Sequence, residues 1–80
     1  MRIELRLFAS LRKKLPVDSP RGKCELDLPE GSTLSDLLQQ MDIPRASAQM
    51  VLFNGEQDRD FERRLQEGDV VSIFPPVAGG

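Results

Sequence analysis

Eighty residues allow one domain with a small core, since at this size only about 60% of the unfolded chain's surface is buried on folding. The chain is 39% hydrophobic and 30% charged, with four Phe and neither Trp nor Tyr, which suits a soluble globular domain and excludes a disordered or membrane-embedded one. Histidine is absent and Cys24 is the only cysteine. An intrachain disulfide, a cysteine metal site and any Ser-His or Cys-His nucleophile are therefore excluded, and an independent enzyme is not expected.

The net charge of −2 is unevenly spread: residues 1–23 carry seven basic and two acidic side chains, residues 24–80 four basic and eleven acidic. No aromatic series interleaves with Arg12-Lys13-Lys14, so nucleic acid is not an expected partner, whereas the acidic second half suits basic protein surfaces. No apolar stretch approaches the ~20 residues of a membrane span, and Met1 leads into a strand-like pattern rather than a signal peptide. The expected compartment is the cytoplasm, with no membrane partner.

Along the chain, Ile3, Leu5 and Leu7 alternate with Arg2, Glu4 and Arg6, the period-2 signature of a strand with one buried face. Phe8 breaks the alternation and either covers an edge of the core or stands open to a partner. Leu11 and Leu15 at i, i+4 predict a short helical turn over residues 9–15, closed by Pro16. Asp18-Ser19-Pro20-Arg21-Gly22 is a loop by composition. A second alternating strand over residues 23–28 suits antiparallel pairing with the first and turns Cys24 inward as a small buried thiol.

Ser32 or Thr33 caps a helix whose Leu34, Leu37, Leu38 and Met41 fall on one stripe, with Asp36 in the first turn. Pro44 limits its length. The apolar run of residues 50–53 meets Asn54-Gly55, a strong two-residue hairpin signal. After a polar stretch, Phe61 and Leu65 at i, i+4 suggest one more short turn. Glu67-Gly68-Asp69 then precedes a β-branched strand over residues 70–74.

The last strand finds a place beside the first, in parallel, if the chain crosses over by way of the helix. The expected fold is α+β: a mixed sheet with one main helix on one face, the β-grasp arrangement. It comprises a domain over residues 1–74 and a flexible tail over residues 75–80.

That tail reads Pro75-Pro76-Val77-Ala78-Gly79-Gly80. Terminal glycines make poor structural material, because glycine loses the most conformational freedom on ordering. Lacking Cβ atoms, they pass through a channel too narrow for other residues and bring a terminal carboxylate to a partner's active site. The Gly80 α-carboxylate is therefore the candidate reactive group. Six residues beyond Phe74 span at most ~20 Å, and Pro75 and Pro76 favour an extended path that lowers the entropy lost on insertion.

The chain resembles the MoaD/ThiS family of ubiquitin-like sulfur carriers over essentially its whole length. The resemblance rests on Leu7-Phe8-Ala9, Ser32-Thr33-Leu34, Phe53-Asn54-Gly55, Leu65 with Gly68-Asp69, and above all residues 74–80. It implies that an enzyme related to ubiquitin-activating enzymes adenylates the Gly80 carboxylate with ATP and magnesium, and that a persulfide sulfur donor converts it to a thiocarboxylate. No cofactor or metal is expected on this chain itself. The Pro-Pro pair favours the molybdopterin branch, in which the small subunit of molybdopterin synthase donates sulfur for the dithiolene. Its partner there is the large subunit, in a heterotetramer of two small and two large chains.

The apolar docking surface implied by the resemblance falls on Phe8 and Phe74, with Leu65 a weaker candidate that also suits the core. Arg12, Lys13 and Arg64 are rim contacts or simply solvated. Three other readings share parts of this pattern. They are a sulfur carrier for thiazole, cysteine or tRNA thiolation, a ubiquitin-like protein modifier, and a β-grasp module that only binds proteins.

Overall fold

The computed structural model describes residues 1–76. Its five strands are β1 (Arg2–Leu7), β2 (Lys23–Asp27), β3 (Met50–Phe53), β4 (Glu56–Gln57) and β5 (Val70–Phe74), with one α-helix, α1 (Leu34–Gln40). They form one mixed sheet in the order β2-β1-β5-β3-β4. β1 pairs antiparallel with β2 and parallel with β5, so the crossover expected from strand order is present.

Alternation along the strands divides the sheet into two faces. Ile3, Leu5 and Leu7 of β1, Val51 and Phe53 of β3, and Val71 and Ile73 of β5 are all buried on one face. Register brings them together, pairing Leu5 with Val71, Leu7 with Ile73, and Val51 again with Ile73. Leu34, Leu37 and Leu38 of α1 complete that core, each contributing about 1.5–3 kcal/mol through its burial.

The helix starts at Thr33, whose hydroxyl accepts a bond from the Asp36 N–H (3.2 Å) while the Asp36 carboxylate accepts one from the Thr33 N–H (3.0 Å). This reciprocal capping box satisfies two otherwise orphaned donors. α1 ends at Gln40, before Pro44 has any say.

Residues 9–14 form a 3-10 helix, the expected short helical turn, which buries Leu11 and leaves Leu15 half-buried. Two sequence expectations need correction. Cys24 is half-buried, because β2 is an edge strand with a neighbour on one side only. Phe61 and Leu65 share no helical turn. The Leu65 N–H donates to the Ser32 carbonyl (2.8 Å) and Arg64 bridges to Thr33, so the segment is laid out against the start of α1.

Candidate functional site

The strand pattern itself carries Phe8 and Phe74 to one place. Leu7 and Ile73 are register partners on parallel strands, both buried, so the residues that follow them emerge side by side on the opposite, open face. Phe8 keeps an extended backbone, and its N–H donates to the Ile73 carbonyl (3.2 Å), extending the ladder by one residue. The two rings stack with centroids 4.1 Å apart and planes 9° from parallel. Ala9 then takes φ 51°, a left-handed conformation costing an L-residue roughly 1–2 kcal/mol, and turns the chain away into the 3-10 helix.

The stack separates two hollows. One, of about 570 Å³, is lined by Phe8, Ala9, Ser10, Gln49, Met50 and Phe74 and closed by Pro75 and Pro76. The other, of about 500 Å³, lies across the open face of the sheet and is lined by Phe8, Phe74, Leu52, Val70, Ser72 and Arg6 among others. Pro75 and Pro76 leave β5 at this end of the sheet, so the route to the tail starts at the stack.

Of the residues singled out from sequence, Phe8, Phe74, Pro75 and Pro76 come together here. Leu65 does not: it is 3% exposed and part of the core, held beneath the start of α1, and offers no surface to a partner. Val77, Ala78, Gly79 and Gly80 lie outside the described residues. Met50, overlooked in the sequence, belongs to the site as the register partner of Phe74. Alternation with the buried Val51 and Phe53 is the signal that marks it.

Electrostatics at the remaining groups is modest. Burial pushes the Cys24 thiol above its ordinary pKa, so it is a poor nucleophile at neutral pH. The Arg2 guanidinium, hydrogen-bonded to both Asp27 oxygens at 3.1 Å, holds the Asp27 carboxyl below its usual value. Among the described residues no group of three or more His, Cys, Asp or Glu side chains is arranged to hold a metal ion, and no helix is long and apolar enough to cross a membrane.

The model of the ThiS family matches residues 5–80. The chain belongs to the ThiS family. Solved structures sharing its architecture include small archaeal modifier protein 1 of Haloferax volcanii, at 23% identity and a TM-score of 0.73 over 95% of this chain and 98% of that one. A putative molybdopterin converting factor subunit 1 from Pyrococcus furiosus is 24% identical with a TM-score of 0.71, covering 96% and 99%. One chain of the protein–protein complex of subunits 1 and 2 of the molybdopterin-converting factor from Helicobacter pylori matches at 22% identity and a TM-score of 0.61, over 100% of this chain and 100% of that one. No protein among those with curated functions matches the sequence. The fold is thus the ubiquitin-like β-grasp that these solved structures share.

Proposed function

We propose that this ThiS-family chain is the sulfur-donating small subunit of a molybdopterin synthase, with the Gly80 carboxylate as its reactive group. The observation that carries the reading is the exit of Pro75 and Pro76 from β5 beside the Phe8–Phe74 stack, followed in the sequence by Val77-Ala78-Gly79-Gly80. An apolar docking surface next to the start of an extended tail suits delivery of a carboxylate into a partner's active site. The fold shared with subunit 1 of molybdopterin-converting factors supports the same branch.

A carboxylate resists nucleophilic attack because of its charge. In the proposed sequence a carboxylate oxygen of Gly80 attacks the α-phosphorus of ATP on a magnesium-dependent adenylating enzyme and displaces pyrophosphate. The terminal sulfur of a persulfide donor then attacks the activated acyl carbon and expels AMP. A second thiol reduces the resulting acyl disulfide, leaving a thiocarboxylate on Gly80 and an ordinary disulfide on the donor. That ionised sulfur is a soft nucleophile. Two such carriers in succession furnish the dithiolene sulfurs, while the large subunit supplies the catalytic side chains, in keeping with a chain that contains no histidine.

The deciding experiment is the intact mass of the protein before and after incubation with the adenylating enzyme, ATP, magnesium and a sulfur source. The expected result is a gain equal to replacing one oxygen by sulfur, located at Gly80, with dithiolene formation once the large subunit and precursor pterin are added. An unchanged mass beside an active control carrier overturns the carrier reading. Adducts on lysines of other proteins, without dithiolene formation, assign the chain to the modifiers.

A further inference from the structure

The end of the sheet from which the tail departs is the basic end of an acidic protein. Arg6 and Lys23 are register partners there, at the close of β1 and the opening of β2. The 3-10 helix that follows Phe8 adds Arg12, Lys13 and Lys14, and the loop before β2 adds Arg21. Arg12 folds back over Gly22, the residue between Arg21 and Lys23. A Cβ on Gly22 would lie 2.8 Å from Arg12 Nε and 2.9 Å from the Leu7 carbonyl oxygen, so only glycine lets this guanidinium settle against the end of β1.

Two of these six cations have carboxylate partners, Arg6 with Glu4 and Lys14 with Asp42. Among the described residues Arg12, Lys13, Arg21 and Lys23 have none. Two carboxylates lie at this end as well, Asp42 against Lys14 and Asp18 in the loop before Arg21, but a larger group sits elsewhere: Asp27 and Glu67 about Arg2 and Asp69 beside Asn54 at the opposite end of β1 and β5, with Glu25 opposite Glu4 at mid-strand. Among the described residues no carboxylate lines either hollow beside the Phe8–Phe74 stack, and Arg6 is the only charged residue in their walls.

We propose that this end docks a carboxylate-rich protein surface, whose acidic groups meet Arg12, Lys13, Arg21 and Lys23 while its apolar side chains seat beside Phe8, Phe74 and Met50. The inference rests on the carrier reading, since the tail end is what such a partner must approach. Its physical basis is orientation. Ionic screening at physiological salt limits direct charge interactions to about 8 Å, so an incoming surface responds to the local patch more than to the net charge of −2. An acidic surface is repelled from the far end and attracted to this one, so productive encounters begin with the tail foremost. The Phe8–Phe74 ridge near the cations is one stacked pair rather than a series of stacking platforms, and one face of each ring is already taken by the other, which favours protein over nucleic acid.

The test measures association rates of the full chain with the adenylating enzyme and, separately, with the large subunit, at low and high salt. Two variants, Arg12→Glu/Lys13→Glu and Lys13→Glu/Arg21→Glu, are compared after checking that thermal midpoints are unchanged. The expected result, with at least one partner, is a wild-type rate that falls with salt and variants slower by about tenfold or more at low salt, converging with wild type at high salt. Variants that associate as fast as wild type, or faster, with every partner that binds overturn the proposed surface and leave the carrier reading standing. A wild-type chain that binds neither partner overturns both. Tighter binding of a labelled single-stranded oligonucleotide than of either protein, lost in the same variants, gives the patch to nucleic acid and overturns the proposal.

Discussion

Asn54 and Val70 exchange two hydrogen bonds: the Asn54 N–H donates to the Val70 carbonyl, and the Val70 N–H donates to the Asn54 side-chain Oδ1, each at 2.8 Å. The asparagine side chain thereby extends the β3–β5 ladder past the last residue of β3, and its Nδ2 also donates to Asp69 (3.0 Å). The same residue takes φ 55° and the following Gly55 φ 87°, the paired positive values of the tight hairpin turn into β4.

Asn54 therefore acts twice, as a turn residue and as a cross-strand partner. Asn54→Ala is expected to lose about 1.5–3 kcal/mol of stability through two missing side-chain bonds and a less tolerated left-handed backbone. Asn54→Gly keeps the backbone conformation at no steric penalty and is expected to lose less. Urea midpoints of the two variants measure the split. Equal losses would mean that the backbone conformation contributes nothing.

The Phe8–Phe74 pair is expected to show direct coupling. Each single change to Ala destabilises the domain, and the double-mutant cycle is expected to give a coupling of about 0.5–1.5 kcal/mol, the usual range for paired aromatic rings. The same single variants are expected to speed dissociation from whichever partner docks on this face. Strict additivity of the two changes in urea unfolding would show the rings to be neighbours without mutual stabilisation.

The Arg2–Asp27 pair makes stability depend on pH with a definite sign. The folded Asp27 carboxyl is depressed by its hydrogen bonds to Arg2, so between its folded and unfolded values the unfolded chain binds more protons. The contribution is fully present above the ordinary carboxylate value of about 3.9 and is lost as pH falls through the folded one. Both side chains are exposed, so the effect is small. Asp27→Asn is expected to be slightly less stable than wild type at neutral pH and equal to it in strong acid. A gap that stays constant through the acid range would remove this pair from the account.

If the Gly80 carboxylate is the reactive group, three changes near it are expected to abolish thiocarboxylate formation while leaving the thermal midpoint unchanged. These are deletion of Gly80, Gly79→Val, and one residue appended after Gly80, which locks the carboxylate in a peptide bond. Intact mass after the activation reaction reports the outcome. Sulfur gained at the end of any of the three variants would refute the assignment.

Much of this architecture is legible in the chain because local and global signals agree. The Leu34, Leu37 and Leu38 stripe coincides with the Thr33 and Asp36 cap, and Asn54-Gly55 both turns the chain and bonds to β5. The 61–65 segment misleads because i, i+4 spacing is a local signal, whereas Leu65 and Arg64 are fixed by backbone contacts to Ser32 and Thr33, far away in sequence. Met50 escapes notice because four consecutive apolar residues hide the alternation, and pairing with Phe74 decides its face. The Phe8–Phe74 stack requires knowing that Leu7 faces Ile73 across a parallel ladder, a register that no sequence window contains.

That parallel ladder also orders events during synthesis. β5 fills the middle of the sheet, bonded on one side to β1, made more than sixty residues earlier, and on the other to β3. Until residues 70–74 have left the ribosome, β1–β2 and β3–β4 have no strand to join them into one sheet. Contacts this distant along the chain close late and slowly. The Phe8–Phe74 surface is consequently absent from every nascent or half-folded chain, and a partner that docks on it inspects the finished domain before it handles the residues beyond.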